Sequence, residues 1–268
     1  MSEDKQQKTY RGRIAPTPSG YLHEGHASTF KVAWSRARER NGDVVYRNDD
    51  LDKLRCRSEF AQAAMQDLKS LTINWDEGPD CGGKYGPYNQ SERADKYTAT
   101  LLKLAKEGLI YPCEKSRKEI QSFGNKARVG YEYLFPQELC PDQKQYEKSE
   151  VDLNTNWRFR TQWKEKVSFV DGRKGKQCFE IGKDFADFLV WRKDGFASYE
   201  LATVVDDYLM NITEIVRGED LLISSARQCT LFDALNWGRP DIYHCELLVD
   251  MNGKKLSKSE RNLPRLIL

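Results

Sequence analysis

The chain has 268 residues, 39% of them hydrophobic and 31% charged, with a formal net charge of +2. That length buries a sizeable core as one large or two small domains, and so small a net charge supplies no global field for nucleic acid. No apolar run approaches a membrane span, Met1 to Tyr10 hold no signal-peptide core, and seven scattered cysteines suit a reducing compartment, so a cytoplasmic protein without a membrane partner is expected.

The first informative stretch is Arg13-Ile14-Ala15-Pro16-Thr17-Pro18-Ser19-Gly20-Tyr21-Leu22-His23-Glu24-Gly25-His26. It reads as a short strand, a broken turn and a helix start. Pro16, Pro18 and Gly20 forbid regular helix until about Leu22. From His23 the pattern is helical, with Phe30, Ala33 and Trp34 on one face. A strand that turns into a helix N-terminus offers backbone N–H groups to a phosphate. Gly25, between two histidines, would let a nucleotide lie against the backbone. The chain holds three histidines, and two of them, His23 and His26, stand in this turn. Taken alone, a merely polar turn is an equal reading.

The segment Asp43-Val44-Val45-Tyr46-Arg47-Asn48-Asp49-Asp50-Leu51-Asp52 reads as an apolar strand ending in a cluster of acids. Ligands of open α/β sheets bind beyond the carboxyl ends of strands, where these acids fall. A solvated turn capping the next helix, Ser58 to Leu71, is the competing reading. Trp75 is expected in the core. Ser91 is expected to cap a helix that runs to about Glu107 and stops at Gly108. This order of strands and helices argues for a parallel α/β half-domain.

From Tyr111 to about Lys183 the texture changes to that of an inserted module. It holds Cys113, a basic helix from Arg117 to Lys126, Cys140, and strands near Trp157–Arg160 and Val167–Asp171. The apolar run Ser198 to Asp207 is helix or strand by periodicity alone. A strand from Ile212 ends sharply at Arg217-Gly218-Glu219-Asp220. Helix Ser225 to Leu235 and strand Pro240 to Leu248 follow, with His244 read as structural. The strand feeds a Gly-led cationic loop, Gly253-Lys254-Lys255-Leu256-Ser257-Lys258-Ser259.

The His23–His26 turn and the Lys255–Ser259 loop resemble the HIGH and KMSKS motifs of class I aminoacyl-tRNA synthetases, in the right order. Arg13 to His23 resembles the glutamyl/glutaminyl branch, in particular the short glutamyl-queuosine tRNA(Asp) synthetases, and the resemblance runs from about Arg13 to Ser259. It implies an α/β fold: a Rossmann-like parallel-sheet catalytic domain with an inserted α+β acceptor-end subdomain. The halves of the nucleotide-binding domain would be residues 1–110 and 184–268, with the insert at 111–183.

The same resemblance implies roles. His23, His26, Lys255 and Lys258 would be catalytic, and His23, Gly25, His26, Gly218, Glu219, Asp220 and Lys258 would bind ATP. Arg13, Ala15, Thr17, Asp49, Tyr199 and Arg217 would bind the amino acid, two arginines gripping an acidic side chain. The family reads Arg-Ile-Glu-Asp-Thr-Asp at residues 47–52, and its Glu holds the α-ammonium group; Asp49 keeps the charge one methylene shorter. The family's insert often carries zinc on Cys-x-Cys, a Tyr and a further Cys. Here Lys115 takes the second position and only Cys113 and Cys140 remain, a degenerate remnant, so zinc is not expected. In the insert, Arg158, Arg160 and Arg173 are candidates for meeting RNA.

The implied reaction is ATP-dependent activation of glutamate to glutamyl adenylate, with magnesium accompanying ATP, and transfer to the queuosine base of tRNA(Asp). The short paralogues activate glutamate unaided by tRNA. A monomer is expected. The chain ends at Leu268, soon after the second motif, with none of the helical domains that read an anticodon. The alternatives are a truncated glutamyl-tRNA synthetase catalytic domain, or an adenylate-forming ligase for another amino acid or acceptor, which Asp49 and Glu200 motivate. A non-enzymatic synthetase-like binding module stands last.

Overall fold

The computed structural model describes residues 9–128, 132–142 and 150–248. Its elements begin β1 (Arg11–Ile14), α1 (Glu24–Arg38), β2 (Asp43–Tyr46), α2 (Ser58–Ser70), α3 (Ala94–Lys106), β3 (Ile110–Pro112), α4 (Arg117–Ser122) and β4 (Trp157–Phe159). They continue β5 (Lys166–Asp171), β6 (Gly175–Glu180), β7 (Phe188–Arg192), β8 (Phe196–Ala197), α5 (Tyr199–Leu209), β9 (Glu214–Gly218), α6 (Leu222–Ala234) and β10 (Asp241–Cys245). Among the described residues no helix is long and apolar enough to cross a membrane. The chain divides into two compact units. The first holds the described residues of Met1–Glu92, Leu209–Asp220 and Pro240–Leu268, and the second those of Arg93–Tyr208 and Leu221–Arg239.

In the first unit β1 and β2 pair in parallel, Arg11 opposite Asp43 and Ile14 opposite Tyr46. The connection between them is α1, which makes a βαβ unit. β9 and β10 also pair in parallel, with Arg217 opposite His244. β9 runs beside β1: the Thr213 N–H donates to Arg11 O at 2.8 Å. Both faces of β2 are covered, as parallel sheets require. Val44 and Tyr46 pack with Ile14, Leu68, Ile73 and Val216. Val45 points the other way, onto Tyr88, Met210, Ile212 and Ile215.

Glu214, the first residue of β9, ties this layer together. It accepts from Arg36 Nε at 2.7 Å and Nη2 at 2.6 Å, and from the Tyr10 hydroxyl at 2.6 Å. Burial pushes its carboxyl up, but the bonds from Arg36 and Tyr10 outweigh this and hold it below the usual range. Glu214→Gln should therefore lower stability at pH 7 by about 1.5–3 kcal/mol, the worth of hydrogen bonds to a charged group. The depressed folded-state pKa fixes the sign. The advantage of native over variant is complete above the ordinary value of 4.5 and is lost as pH falls through the lowered one. Urea unfolding of both proteins between pH 7 and pH 3 checks this.

In the second unit β3, β4, β7 and β8 form an antiparallel sheet in that order, and β5 and β6 form a hairpin. Residues 198–207, open between helix and strand on periodicity, are helical from Tyr199 onward. Every residue of α5 from Glu200 to Asp207 is buried, with Leu201, Val204, Val205 and Tyr208 at helical spacing.

Three local expectations change. The basic helix stops at Ser122 rather than Lys126: Ser116 caps it by accepting from Glu119 N at 3.2 Å, and Gly124 ends it at φ 72°. Ser91 does not cap α3. Its hydroxyl donates to Asp50 at 2.7 Å, and Arg93 occupies the cap position. Trp75 is only half-buried, its ring against Tyr46 and its indole N–H donating to Asp80 at 2.8 Å.

Candidate active site

The turn after β1 is lashed to the segment that leaves β2. The Arg47 N–H donates to Ile14 O at 2.9 Å, the Asp49 N–H to Pro16 O at 3.0 Å and the Arg57 N–H to Pro18 O at 3.0 Å. The parallel pairing of β1 and β2 thus continues past both strand ends, through residues that no regular strand includes. Pro16 and Pro18 are buried, and Ala15 and Thr17 between them stay half-exposed. The alternation follows from an extended chain with one covered side.

α1 then begins at His23, which stands in extended conformation at the N-cap. Its backbone N–H donates to His26 Nδ1 at 3.4 Å, and the two imidazoles lie 3.7 Å apart between centroids. The pair forms a capping box built from histidines. His23 is buried and His26 half-exposed. Gly25 has a packing role: a Cβ there would sit 3.0 Å from His23 Cε1 and 3.1 Å from Nδ1. The His23 ring lies across the glycine, and any side chain would displace it.

Three candidate charged residues of this unit, Arg13, Asp49 and Arg217, lie deep. Arg13, on β1, is 5% exposed and donates from Nη1 to Val216 O on β9 at 2.9 Å. Arg217 follows Val216 on β9 and is 4% exposed. Asp49 is 7% exposed and pairs with Arg47, which is 0% exposed, at 2.7 Å between Oδ1 and Nε. Gly218 ends β9, and Glu219 opens a 3-10 turn, Glu219–Leu221. A Cβ on Gly218 would lie 2.6 Å from Asp220 Oδ1, so only glycine leaves that carboxylate its place.

Arg13, Ala15, Thr17, His23, Gly25, His26, Asp49, Arg217, Gly218, Glu219 and Asp220 therefore share one unit. They stand at, or just beyond, the carboxyl ends of β1, β2 and β9. Ligands of open parallel sheets bind at that edge. Two cationic forks and one carboxylate there suit a small zwitterion with an acidic side chain. The helix N-terminus at His23 suits a phosphate. Tyr199 lies in the second unit at the start of α5, 39% exposed. Lys255 and Lys258 fall outside the described residues. Glu200, also in the second unit, accepts from Gln228 Nε2 at 2.9 Å. Arg47 was not singled out in the sequence. The available signal was a cation at the end of an apolar strand, two residues before an acid and so on the same side of it.

In the second unit the remnant cysteines are committed elsewhere. Cys113 Sγ accepts from Arg158 Nε at 3.3 Å. The Cys140 thiol donates to Asp187 Oδ2 at 3.2 Å, and the Tyr111 hydroxyl donates to the same oxygen at 2.7 Å. Burial, then the Asp187 charge, pushes the Cys140 thiol up to about 12. A neutral thiol bonded to a carboxylate is a poor zinc ligand. Among the described residues no three His, Cys, Asp or Glu side chains gather as a metal site. Arg158 and Arg160 are also engaged within the unit: Arg158 donates to Asp187 O at 3.0 Å, and Arg160 donates to Pro141 O. Arg173 is exposed, in the turn between β5 and β6.

Comparison with known proteins places this geometry among relatives. The family model for the catalytic domain of class I tRNA synthetases (E and Q) matches residues 9–266. A glutamyl-Q tRNA(Asp) synthetase of Symbiobacterium thermophilum is 41% identical over 254 residues, spanning 92% of this chain and 77% of that protein. A glutamate–tRNA ligase of Listeria welshimeri is 34% identical over 270 residues, spanning 100% of this chain and 54% of that protein. Among solved structures, a glutamate tRNA ligase from Elizabethkingia meningosepticum in complex with its amino acid superposes with a TM-score of 0.78 at 28% identity. That match covers 93% of this chain and 52% of the other. The chain thus spans about half the length of the two ligases.

Proposed function

Because the chain belongs to the catalytic-domain family of the class I glutamyl and glutaminyl tRNA synthetases, we propose that it is a ligase that activates glutamate with ATP and transfers it to tRNA. The acceptor we propose is the queuosine base of tRNA(Asp). The observation that carries the reading is the 41% identity to a glutamyl-Q tRNA(Asp) synthetase across 92% of this chain. The buried residues Arg13, Asp49 and Arg217 at the carboxyl ends of one parallel layer support it.

In the first step the α-carboxylate of glutamate attacks the α-phosphorus of ATP. The bond to the bridging oxygen breaks, pyrophosphate leaves with its electrons, and glutamyl adenylate forms. In the second step a hydroxyl of the RNA attacks the activated carbonyl, and AMP leaves. No covalent enzyme intermediate is needed, so the protein's contribution is orientation and charge stabilisation. Arg13 and Arg217 grip the side-chain carboxylate, Asp49 receives the α-ammonium group, and Ala15 and Thr17 line the pocket. His23 and His26 meet the phosphates at the start of α1, and Gly25 keeps the His23 ring in place. Gly218, Glu219 and Asp220 face ribose and adenine. Lys255 and Lys258 neutralise charge on the α-phosphate and the departing pyrophosphate. Since no described cluster of acids would cage magnesium, the ion would arrive on the phosphates of ATP, and no step here is routed through it. Residues 111–183 serve as the acceptor-end subdomain, and the protein acts as a cytoplasmic monomer.

Asp49 is where this chain departs from its relatives' pattern, and it tests the identity of the amino acid. If glutamate is the substrate, Asp49→Glu restores the missing methylene and should raise kcat/KM for glutamate by about threefold to tenfold, a gain of roughly 1 kcal/mol. A fall in glutamate use with a gain for another amino acid would move the assignment to that substrate. Amino-acid-dependent ATP–pyrophosphate exchange on both proteins is the measurement.

A further inference from the structure

We propose that Arg47 is a positioning residue of the amino-acid site. Its guanidinium holds the Asp49 carboxylate charged and aimed at the α-ammonium group, and so decides that the site takes an amino acid rather than the corresponding hydroxy acid. The proposal rests on Asp49 receiving the α-ammonium group, and it assigns a role to a side chain that is itself 0% exposed and acts only through its neighbour.

Arg47 and Asp49 stand two residues apart on an extended segment and so lie on the same side of it. That segment is fixed from both flanks. On one, the N–H groups of Arg47 and Asp49 donate to Ile14 O at 2.9 Å and Pro16 O at 3.0 Å. On the other, the Asn48 N–H donates to Tyr88 O at 2.9 Å, and Asn48 O accepts from the Gln90 N–H at 3.0 Å. A backbone pinned in this way does not slide forward to recover the methylene that Asp49 lacks. The direction of the carboxylate is then set by what holds its oxygens. Arg47 Nε donates to Oδ1 at 2.7 Å, and Nη2 stands 3.5 Å from Oδ2. Buried Met210 meets the same guanidinium, with 4.0 Å between Sδ and Nη1.

Stability alone does not account for such a pair. Taking both charges out of water offsets most of their attraction, and packed apolar side chains of the same volume serve a fold equally well. What the pair supplies is a charged carboxylate at a depth where an isolated one exchanges its charge for a proton. A carboxylate offers about four lone-pair sites, so the arginine fork and an ammonium group can be held together. A neutral acid would neither attract the ammonium group nor disfavour a hydroxyl in its place. Loss of Arg47 should therefore be felt at one atom of the substrate, the α-nitrogen.

The test is calorimetric titration of the full chain with L-glutamate and with L-2-hydroxyglutarate, which carries a hydroxyl in place of the α-ammonium group, and separately with ATP. The native chain should prefer glutamate. Arg47→Met should weaken glutamate binding by about tenfold to a hundredfold, the effect of a misplaced binding group. It should leave 2-hydroxyglutarate within about threefold and ATP within about twofold of the native values. Arg47→Lys keeps the charge without the fork and should retain part of the preference. Thermal melts verify folding, and Arg47→Gln, which keeps an amide donor, replaces Arg47→Met if that variant does not fold. A merely structural arginine would weaken both acids alike, and that result overturns the proposal. So does a native preference for glutamate that persists in the folded variants, which removes Arg47 and leaves the role of Asp49 standing. A native chain that binds both acids equally removes Asp49 from the ammonium group, and the proposal with it.

Discussion

Arg217→Ala should lower kcat/KM for glutamate in ATP–pyrophosphate exchange by about a hundredfold to a thousandfold, the result of removing one partner of a desolvated charge pair. Arg217 sits on β9, 4% exposed, next to the Val216 carbonyl that anchors Arg13. On the proposed reading, a substrate carboxylate entering there would exchange water for two guanidinium groups, and the alanine variant would leave it with one. Arg217→Lys keeps the charge but loses the planar fork, so its loss should be intermediate. The sharper readout is selectivity. Glutamine lacks the charge that Arg217 would hold, so exchange with glutamine should change little while exchange with glutamate collapses. Equal loss for both amino acids, with an intact melting transition, would remove Arg217 from side-chain recognition.

The largest expected loss of stability lies in the second unit. Asp206→Ala should reduce the unfolding free energy by about 3–5 kcal/mol, because it leaves a buried arginine without its charge partner. Arg93 Nε and Asp206 Oδ1 are 2.6 Å apart, with their side chains 1% and 0% exposed. Tyr97 donates its hydroxyl to Asp206 Oδ2 at 2.9 Å. Against the 5–15 kcal/mol typical of a native domain, such a loss is a large fraction of the total. The double replacement Arg93→Met with Asp206→Leu should recover much of it, since two apolar side chains need no compensating charge. By contrast, removing the Arg55–Asp52 pair, whose arginine side chain is 74% exposed, should change stability little. Urea unfolding followed by circular dichroism distinguishes the three cases.

The order of elements around the first motif was legible because its signals are local. Pro16, Pro18 and Gly20 exclude helix by sterics, and the helix at His23 follows a change of hydrophobic period. The exit from β2 was legible as an acidic cluster at a strand end. Its central feature, Arg47 buried against Asp49, was not, because a charged residue in sequence gives no sign of its depth. The helical state of residues 199–207 was hidden for a related reason. Asp206 and Asp207 lie buried inside α5, so the charges marked no outer face, although Leu201, Val204, Val205 and Tyr208 keep helical spacing. Ser91 misled in the opposite sense. Its residue type suits a cap, but Asp50, distant in sequence, claimed both its hydroxyl and its N–H. Local propensity was right wherever no long-range partner competed. Gly25 was marked for close approach of a nucleotide, and the structure adds a packing reason: the His23 ring covers it.

The most direct measurement of the central claim is ATP–pyrophosphate exchange by the chain alone, without RNA, with glutamate, glutamine, aspartate and neutral amino acids in turn. The account predicts exchange with glutamate far above that with any of the others. Exchange driven by a different amino acid, or no exchange with glutamate until tRNA is added, would contradict it.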